Sequence, residues 1–279
     1  MFEYLPTEIL KEINKLKFIS EIRLRVNSCP QIFTDSGNFT LSKILVTSDT
    51  LKNIVITACK RSIYGYDEFI KRGFITTDCG ERIGICGEFV YSYGEIQTIK
   101  NYSSLVIRIP NDILGVSNEF FKIYNGGSVL IISKTGVGKT TFLRDLTRNL
   151  SINYKENVIV IDERNEIAVK TKSSSFYLGD SVDVLTFANK SYGFTHAVRT
   201  LNPSYVVTDE LITEEDYNSV ILAVKSGLNV FASMHGDENF KVKINNFIKV
   251  KIFNYYVYIS KNNNERKLKV YDKNLNLIC

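Results

Sequence analysis

Histidine is scarce in this sequence, with two residues among 279, too few for a histidine-built metal centre. Cysteine is little better supplied: Cys29, Cys59, Cys79, Cys86 and Cys279 make an odd number, and no two stand in C-x-x-C spacing. That set argues against zinc and for thiols kept reduced in the cell. Also missing is any apolar run near the ~20 residues that span a bilayer. The longest runs, such as residues 129–132 and 158–161, have the length of strands. The opening residues, M-F-E-Y-L-P-T-E, lack the basic and apolar regions of a secretory signal. The expectation is a cytosolic protein. The only low-complexity patch is the short run Asn262-Asn263-Asn264.

What is present is a chain with 44% hydrophobic residues, enough for one large domain or two modest ones. The net charge of +5 is unevenly placed. From Asn239 onward nine Lys/Arg face two Asp/Glu, so about +7 sits in the last 41 residues. The plainest reading is a solvated, lysine-decorated hairpin; contact with anionic lipid or nucleic acid is the alternative.

Two patterns divide the chain. Pro6-Thr7-Glu8 opens a helix with Ile9, Leu10, Ile13 and Leu16 on one face. E-I-R-L-R-V, residues 21–26, alternates as a half-buried strand does, with Ile22, Leu24 and Val26 on one side. A helix follows around Leu51, Ile54, Val55 and Ala58, and a shorter one stops at Gly73. Then come three strand-like segments, F-I-T-T, E-R-I-G-I-C-G-E-F-V and L-V-I-R-I. This is a mixed α+β unit.

After Pro110 the pattern changes. V-L-I-I reads as a fully apolar strand and leads through a loop into a helix carrying Phe142, Leu143, Leu146 and Leu150. V-I-V-I-D-E, Y-V-V-T-D-E and V-F-A-S-M-H are further apolar strands with polar ends, and helical segments alternate with them. Continuously apolar strands predict an α/β fold with a mostly parallel sheet covered on both faces. The boundary falls between residues 110 and 125, giving an N-terminal domain of residues 1–115 and a second domain of residues 116–279. Near the C-terminus, Y-Y-V-Y-I-S-K-N-N-N-E-R-K-L-K-V-Y-D reads as a β-hairpin on the edge of that sheet.

The chemistry concentrates in I-S-K-T-G-V-G-K-T-T-F-L-R-D-L, residues 132–146. The pattern G-x-x-x-x-G-K-[ST] cradles nucleotide phosphates on backbone N–H groups at a helix N-terminus. Here it is met except at its first position, where Ser133 stands in place of glycine. That position is farthest from the phosphates, and serine follows most backbone paths short of positive φ. The expected ATP-binding stretch is Ser133, Lys134, Thr135, Gly136, Val137, Gly138, Lys139, Thr140 and Thr141. In it Lys139 reaches the β- and γ-phosphates and the Thr140 hydroxyl ligates Mg²⁺.

Asp209 and Glu210 end a strand 70 residues after Lys139. Asp209 there holds Mg²⁺ through water and Glu210 polarises the attacking water, which favours hydrolysis over transfer to another acceptor. The bland alternative is a pair of strand-end helix caps. Asp162, Glu163, Arg164 and Glu166 follow another strand and should face the same crevice, since strand ends of a parallel sheet line one edge; they could equally be a surface turn. His235 could sense or orient the γ-phosphate, or be an exposed strand-end side chain. Arg199 could touch phosphate, a neighbouring subunit or a local acid.

With these residues in hand, the sequence resembles the stage III sporulation protein AA family of endospore-forming bacteria, which is related to the ATPases of type II and type IV secretion. The resemblance rests on E-I-R-L-R-V, R-G-F-I-T-T, G-E-R-I-G-I-C-G and L-V-I-R-I in the first half. In the second half it rests on G-V-G-K-T-T-F-L-R-D-L, I-D-E-R-N-E-I-A, the Asp209-Glu210 pair and S-M-H-G. It implies a RecA-like P-loop ATPase domain behind a small α+β domain, assembled as a homo-hexamer. It implies a place in the mother cell, peripheral to the membrane, at the base of the channel into the forespore. The implied partners are ATP and the membrane proteins of that complex; nucleic acid is not expected as a partner. The resemblance carries catalytic roles to Asp162, Glu163, Glu166 and His235, and offers Arg82 and Arg108 as arginines that complete the site. Thr208 and Leu211, beside the acid pair, depart from the pattern, as Ser133 does. The leading reading is a Mg-dependent motor ATPase. A nucleotide-gated scaffold with little hydrolysis is the alternative, and a DNA-dependent ATPase using the basic tail is a third.

Overall fold

A computed structural model of the protein describes residues 2–60, 66–171, 175–244, 247, 250–262 and 265–279. Asn263 and Asn264 of the asparagine run lie outside the described residues. The chain divides into two compact units: residues 1–111, with 171–175, and residues 112–170 with 176–279.

The first unit contains α1 (Thr7–Ile13), β1 (Ile19–Arg25), β2 (Gln31–Thr34), β3 (Asn38–Thr40), α2 (Ser48–Ala58), α3 (Asp67–Lys71), β4 (Phe74–Thr76), β5 (Arg82–Ser92) and β6 (Glu95–Arg108). Its sheet runs β3-β2-β1-β6-β5-β4, antiparallel at every junction. Ile22 and Leu24 are fully buried, as the alternation in β1 demands. So are Leu51 and Val55 on the core face of α2, whose N-terminus is fixed by a capping box between Thr47 and Thr50. The short strands β2 and β3 carry no clear period and go unseen in the sequence; β3 is exposed throughout. At the bulge between Cys86 and Glu88, a Cβ on Gly87 would stand 2.5 Å from the Lys100 carbonyl oxygen, so only glycine lets the two strands close there.

The second unit contains α4 (Asn118–Phe121), β7 (Val129–Ser133), α5 (Lys139–Ile152), β8 (Val158–Asp162), β9 (Val182–Thr186), α6 (Lys190–His196), a π-helical turn (Ala197–Leu201), β10 (Tyr205–Thr208), α7 (Glu214–Lys225), β11 (Asn229–His235), α8 (Phe240–Lys243), β12 (Tyr255–Asn262) and β13 (Glu265–Asp272). The sheet order is β13-β12-β7-β11-β10-β8-β9, parallel except between β12 and β13. Alternate residues of each central strand feed two separate cores. Leu130, Ile132, Ile159, Ile161 and Val206 pack one face with Phe240 and Phe253, whereas Val129, Ile131, Val160 and Val207 pack the other with Phe142, Leu143, Leu146 and Leu150 of α5. Both sets are needed, which is why these strands are apolar along most of their length, with polar residues concentrated at their C-terminal ends. Burying each such side chain is worth ~1.5–3 kcal/mol.

The C-terminal hairpin forms as expected, and only β13 is the edge strand; β12 lies inside the sheet against β7, with Tyr256 and Val257 fully buried. β9, with its polar Asp183, is an edge strand the sequence did not announce. The parallel register sets His235 opposite Ser133, and Thr208 opposite both Ala232 and Ile161. The loops after β7, β8, β10 and β11 therefore leave the same edge of the sheet.

Candidate nucleotide site

The loop begins where β7 ends. Ser133 is fully buried, still paired in the sheet, and is not among the residues with positive φ; its Oγ donates to the Lys134 carbonyl at 2.8 Å. The position asks for no glycine. Positive φ falls at Gly136 (+77°) and Gly138 (+113°), the two glycines the motif retains. Gly138 also caps α5, and the Arg266 guanidinium from β13 lies 3.1 Å from where its Cβ would stand. Helix α5 then presents its N-terminus, with Lys139 and Thr140 in the first turn.

Lys139 is buried, and its Nζ donates to the carbonyls of Ser133 (3.2 Å) and Lys134 (3.3 Å) and to His235 Nδ1 (3.0 Å). Burial lowers its pKa, and the Glu210 charge works against that. An ammonium only donates, so His235 Nδ1 accepts and Nε2 carries the ring proton, which it offers to Glu210 Oε1. The other carboxylate oxygen, Oε2, accepts from Arg164 Nη1 at 2.8 Å. Lys139, His235, Glu210 and Arg164 thus form one chain, drawn from the loop after β7 and from the ends of β11, β10 and β8. Thr135 Oγ1 stands 3.5 Å from His235 Nδ1.

Asp209 lies beside that chain, 3% exposed. Burial pushes its carboxyl up to about 7, against the opposing pull of Lys190. Its Oδ1 finds no hydrogen-bond partner among the described residues. A buried oxygen of this kind fits a divalent cation; Asp209, with Thr140 in the first turn of α5, would be the residues to hold Mg²⁺. No group of three or more His, Cys, Asp or Glu among the described residues could cage a metal alone, so the remaining ligands would be phosphate and water.

The acidic segment after β8 does reach the same edge. Glu163 ion-pairs with Lys190, a buried lysine that opens α6, and Arg164 binds Glu210. Asp162 faces elsewhere. Its carboxylate accepts the backbone N–H groups of Glu166 (2.8 Å), Ile167 (3.0 Å) and Ala168 (2.8 Å), and it is fully buried. It shapes the loop rather than pointing at a ligand. Glu166 takes part through its backbone: Arg144 of α5 donates to the carbonyls of Glu166 (2.7 Å) and Ile167 (2.6 Å) and lies over the Phe176 ring. Thr208 and Leu211 are buried, Thr208 donating to the Ile161 carbonyl.

Arg199 is exposed on the π-helical turn. Arg82 and Arg108 belong to the first unit, paired across β5 and β6, with Arg82 over the Phe74 ring and Arg108 Nε 3.8 Å from Glu21. Lys190, Arg144 and Arg266 are the residues the sequence did not single out. Asn189 marks the start of α6 as a capping residue, which is the one local signal that places Lys190.

Residues 5–277 match the family described as "Sporulation stage III, protein AA". The chain is similar to Stage III sporulation protein AA of Bacillus subtilis (strain 168), 30% identical over 227 residues that span 78% of this chain and 73% of the relative. In structure it is similar to the pilus retraction motor PilT with bound ADP, at a TM-score of 0.65 and 18% identity, over 94% of this chain and 81% of that one. It is also similar to the ATPase DotB of Legionella pneumophila, at a TM-score of 0.62 and 14% identity, over 95% and 79%. At such identities the likeness establishes the fold, an α/β secretion-ATPase fold with a mostly parallel sheet.

Proposed function

The chain belongs to the sporulation stage III protein AA family, and from that premise we propose that it is a Mg²⁺-dependent ATPase. It would drive assembly of, or transport through, the channel between mother cell and forespore, as a homo-hexamer docked on membrane proteins of that complex. No helix among the described residues is long and apolar enough to cross a membrane, so attachment through partners suits the chain. The observation that carries the reading is the Lys139–His235–Glu210 chain beside the unpartnered carboxylate oxygen of Asp209.

The residues divide the work. The backbone N–H groups of the loop and the N-terminus of α5 hold the β-phosphate, and Lys139 exchanges the Ser133 and Lys134 carbonyls for phosphate oxygens. Thr140 and Asp209 would hold Mg²⁺, which when bound would offset the negative charge of the phosphates. Glu210 Oε1 takes one proton from water as its oxygen bonds to the γ-phosphorus and the bond to the β–γ bridging oxygen breaks. To do so Glu210 must be released by His235 Nε2. That follows when Lys139 turns from His235 to the γ-phosphate and frees the imidazole. Arg164 keeps hold of Oε2 and orients the base.

The geometry at Ser133 removes the main ground for a scaffold without turnover. Ser133→Gly is expected to leave ADP affinity within about twofold and to cost about 0.5–1 kcal/mol of stability, because glycine loses more chain entropy in a strand. Urea unfolding and ADP titration read both numbers; affinity rising by an order of magnitude would instead show the serine to be an impediment. Arg266 stands over the loop where a polyphosphate would lie. Removing that cation in Arg266→Ala is expected to weaken ADP binding roughly three- to tenfold, with Arg266→Lys intermediate. Displacement of a fluorescent ADP analogue measures it, and equal affinities would reduce Arg266 to a packing contact. The function itself is tested by ATP turnover in Lys139→Ala and Glu210→Gln proteins, with oligomer size recorded. Wild-type protein that binds ATP but turns it over no faster than the Lys139→Ala background would leave only the scaffold.

A further inference from the structure

We propose that Lys190 is a built-in cation that holds the metal-side acids and competes with the divalent ion for Asp209. This rests on the reading of Asp209 as the metal-side carboxylate. The lysine side chain is 4% exposed, a degree of burial lysine reaches only when its charge is matched. Its match comes from two different strand ends: Nζ ion-pairs with Glu163 after β8 and lies 3.9 Å from Asp209 Oδ1 after β10.

The two contacts are unequal. At 3.9 Å the ammonium attracts Asp209 without hydrogen-bonding it, so Oδ1 keeps its lone pairs while buried. An oxygen in that state is ready for a second cation. Any divalent ion that takes it comes close to the ammonium already there, and the two positive charges repel through a partly dry medium. Lys190 cannot retreat with its helix. Asn189 fixes the start of α6 by accepting from Ser191 N at 2.9 Å, and a Cβ on Gly193 would stand 2.8 Å from Ile161 Cγ2, so α6 lies hard against β8. The only free movement is of the side chain, toward Glu163. Metal binding therefore shifts the lysine wholly onto Glu163, and Glu163 serves as the acceptor that makes the exchange reversible. Lys190 is a positioning residue on this account; it touches no substrate.

The experiment is Mn²⁺ titration into the full-length protein saturated with ADP, followed by electron paramagnetic resonance of free Mn²⁺. Lys190→Gln removes the competing charge and is expected to tighten Mn²⁺ about tenfold, or about 1.4 kcal/mol. A lysine that merely organised the acids would give the opposite sign, since its loss would disorder them. Unchanged or weaker Mn²⁺ binding in Lys190→Gln overturns the proposal, provided that its ADP affinity without metal matches wild type. Should that variant not fold, Lys190→Arg decides: the longer guanidinium reaches Oδ1 and is expected to weaken Mn²⁺ severalfold, and unchanged or tighter binding overturns the proposal. Asp209→Asn separates the two levels. It should loosen Mn²⁺ at constant ADP affinity; if it does not, the reading of Asp209 falls and the proposal falls with it, whatever Lys190 does.

Discussion

Glu210→Gln is expected to lower ATP turnover by roughly 10²–10⁴-fold, the usual contribution of a positioned general base, while ATP still binds. The substitution is close to isosteric. The amide oxygen can take the place of Oε2 and accept from Arg164, and the backbone N–H of Glu210 keeps its bond to Ser233 Oγ. What disappears is the carboxylate that accepts the proton of water. Binding survives because the loop N–H groups, Lys139 and Thr140 are untouched. Rapid-quench turnover together with equilibrium ATP binding distinguishes this from misfolding. A glutamine variant that hydrolyses as fast as wild type would remove Glu210 from the chemistry and leave its contacts with His235 and Arg164 as fold-holding ones. Lys139→Ala should differ in kind, losing binding itself.

Asp209→Asn is expected to stabilise the nucleotide-free protein at pH 8, although it impairs the site. The sign follows from burial. In the native state the carboxyl sits at about 7, against 3.8 for the ordinary side chain. Between those values the folded protein holds a proton that the unfolded chain has released. Folding is therefore favoured at the acidic end of the window, and stability drains away as pH rises through it. Above pH 7 the whole cost of a buried, imperfectly compensated charge is present, at about 1.4 kcal/mol per pH unit crossed and so at most roughly 4 kcal/mol. Asparagine carries no such cost. Urea unfolding at pH 8 should show Asp209→Asn ahead by about 1–3 kcal/mol, with the gap closing toward pH 5. An asparagine variant less stable than wild type at pH 8 would mean that Lys190 compensates the charge fully, and the account of a strained, metal-ready carboxylate would fail. On the proposed reading the trade is a usual one: a group kept for chemistry is a burden on the fold.

The sheet of the second unit could be read from the sequence because its strands must be apolar on both sides, and V-L-I-I or V-I-V-I can satisfy that only between two layers. The loop after β7 was legible for a related reason: Gly136 and Gly138 are fixed by backbone angles, which act locally. Contacts between distant segments were not legible. Lys190 meets Glu163 across 27 residues, and nothing near either residue states that a lysine will be buried there. Asp162 sits in an acidic run that looks like four groups aimed at one ligand, yet its own loop absorbs its carboxylate through three N–H groups, a use of charge that composition does not betray. β3 and β9 were missed because edge strands with polar faces carry little period. Ser133 looked like a defect only because the pattern counts a glycine there; the backbone at that position is ordinary strand.

Arg144 and Lys139 stand on one helix, and that has a mechanical meaning. The fourteen residues of α5 form a rod about 21 Å long. At its tip is Lys139; little more than a turn along, the Arg144 guanidinium grips the Glu166 and Ile167 carbonyls. No hinge separates the two attachments. Were the tip drawn toward a bound phosphate or let go, the acidic segment and the arginine it carries would move with it. On the proposed reading, nucleotide and acidic segment would be coupled by the stiffness of one helix, and the timing of one would be the timing of the other.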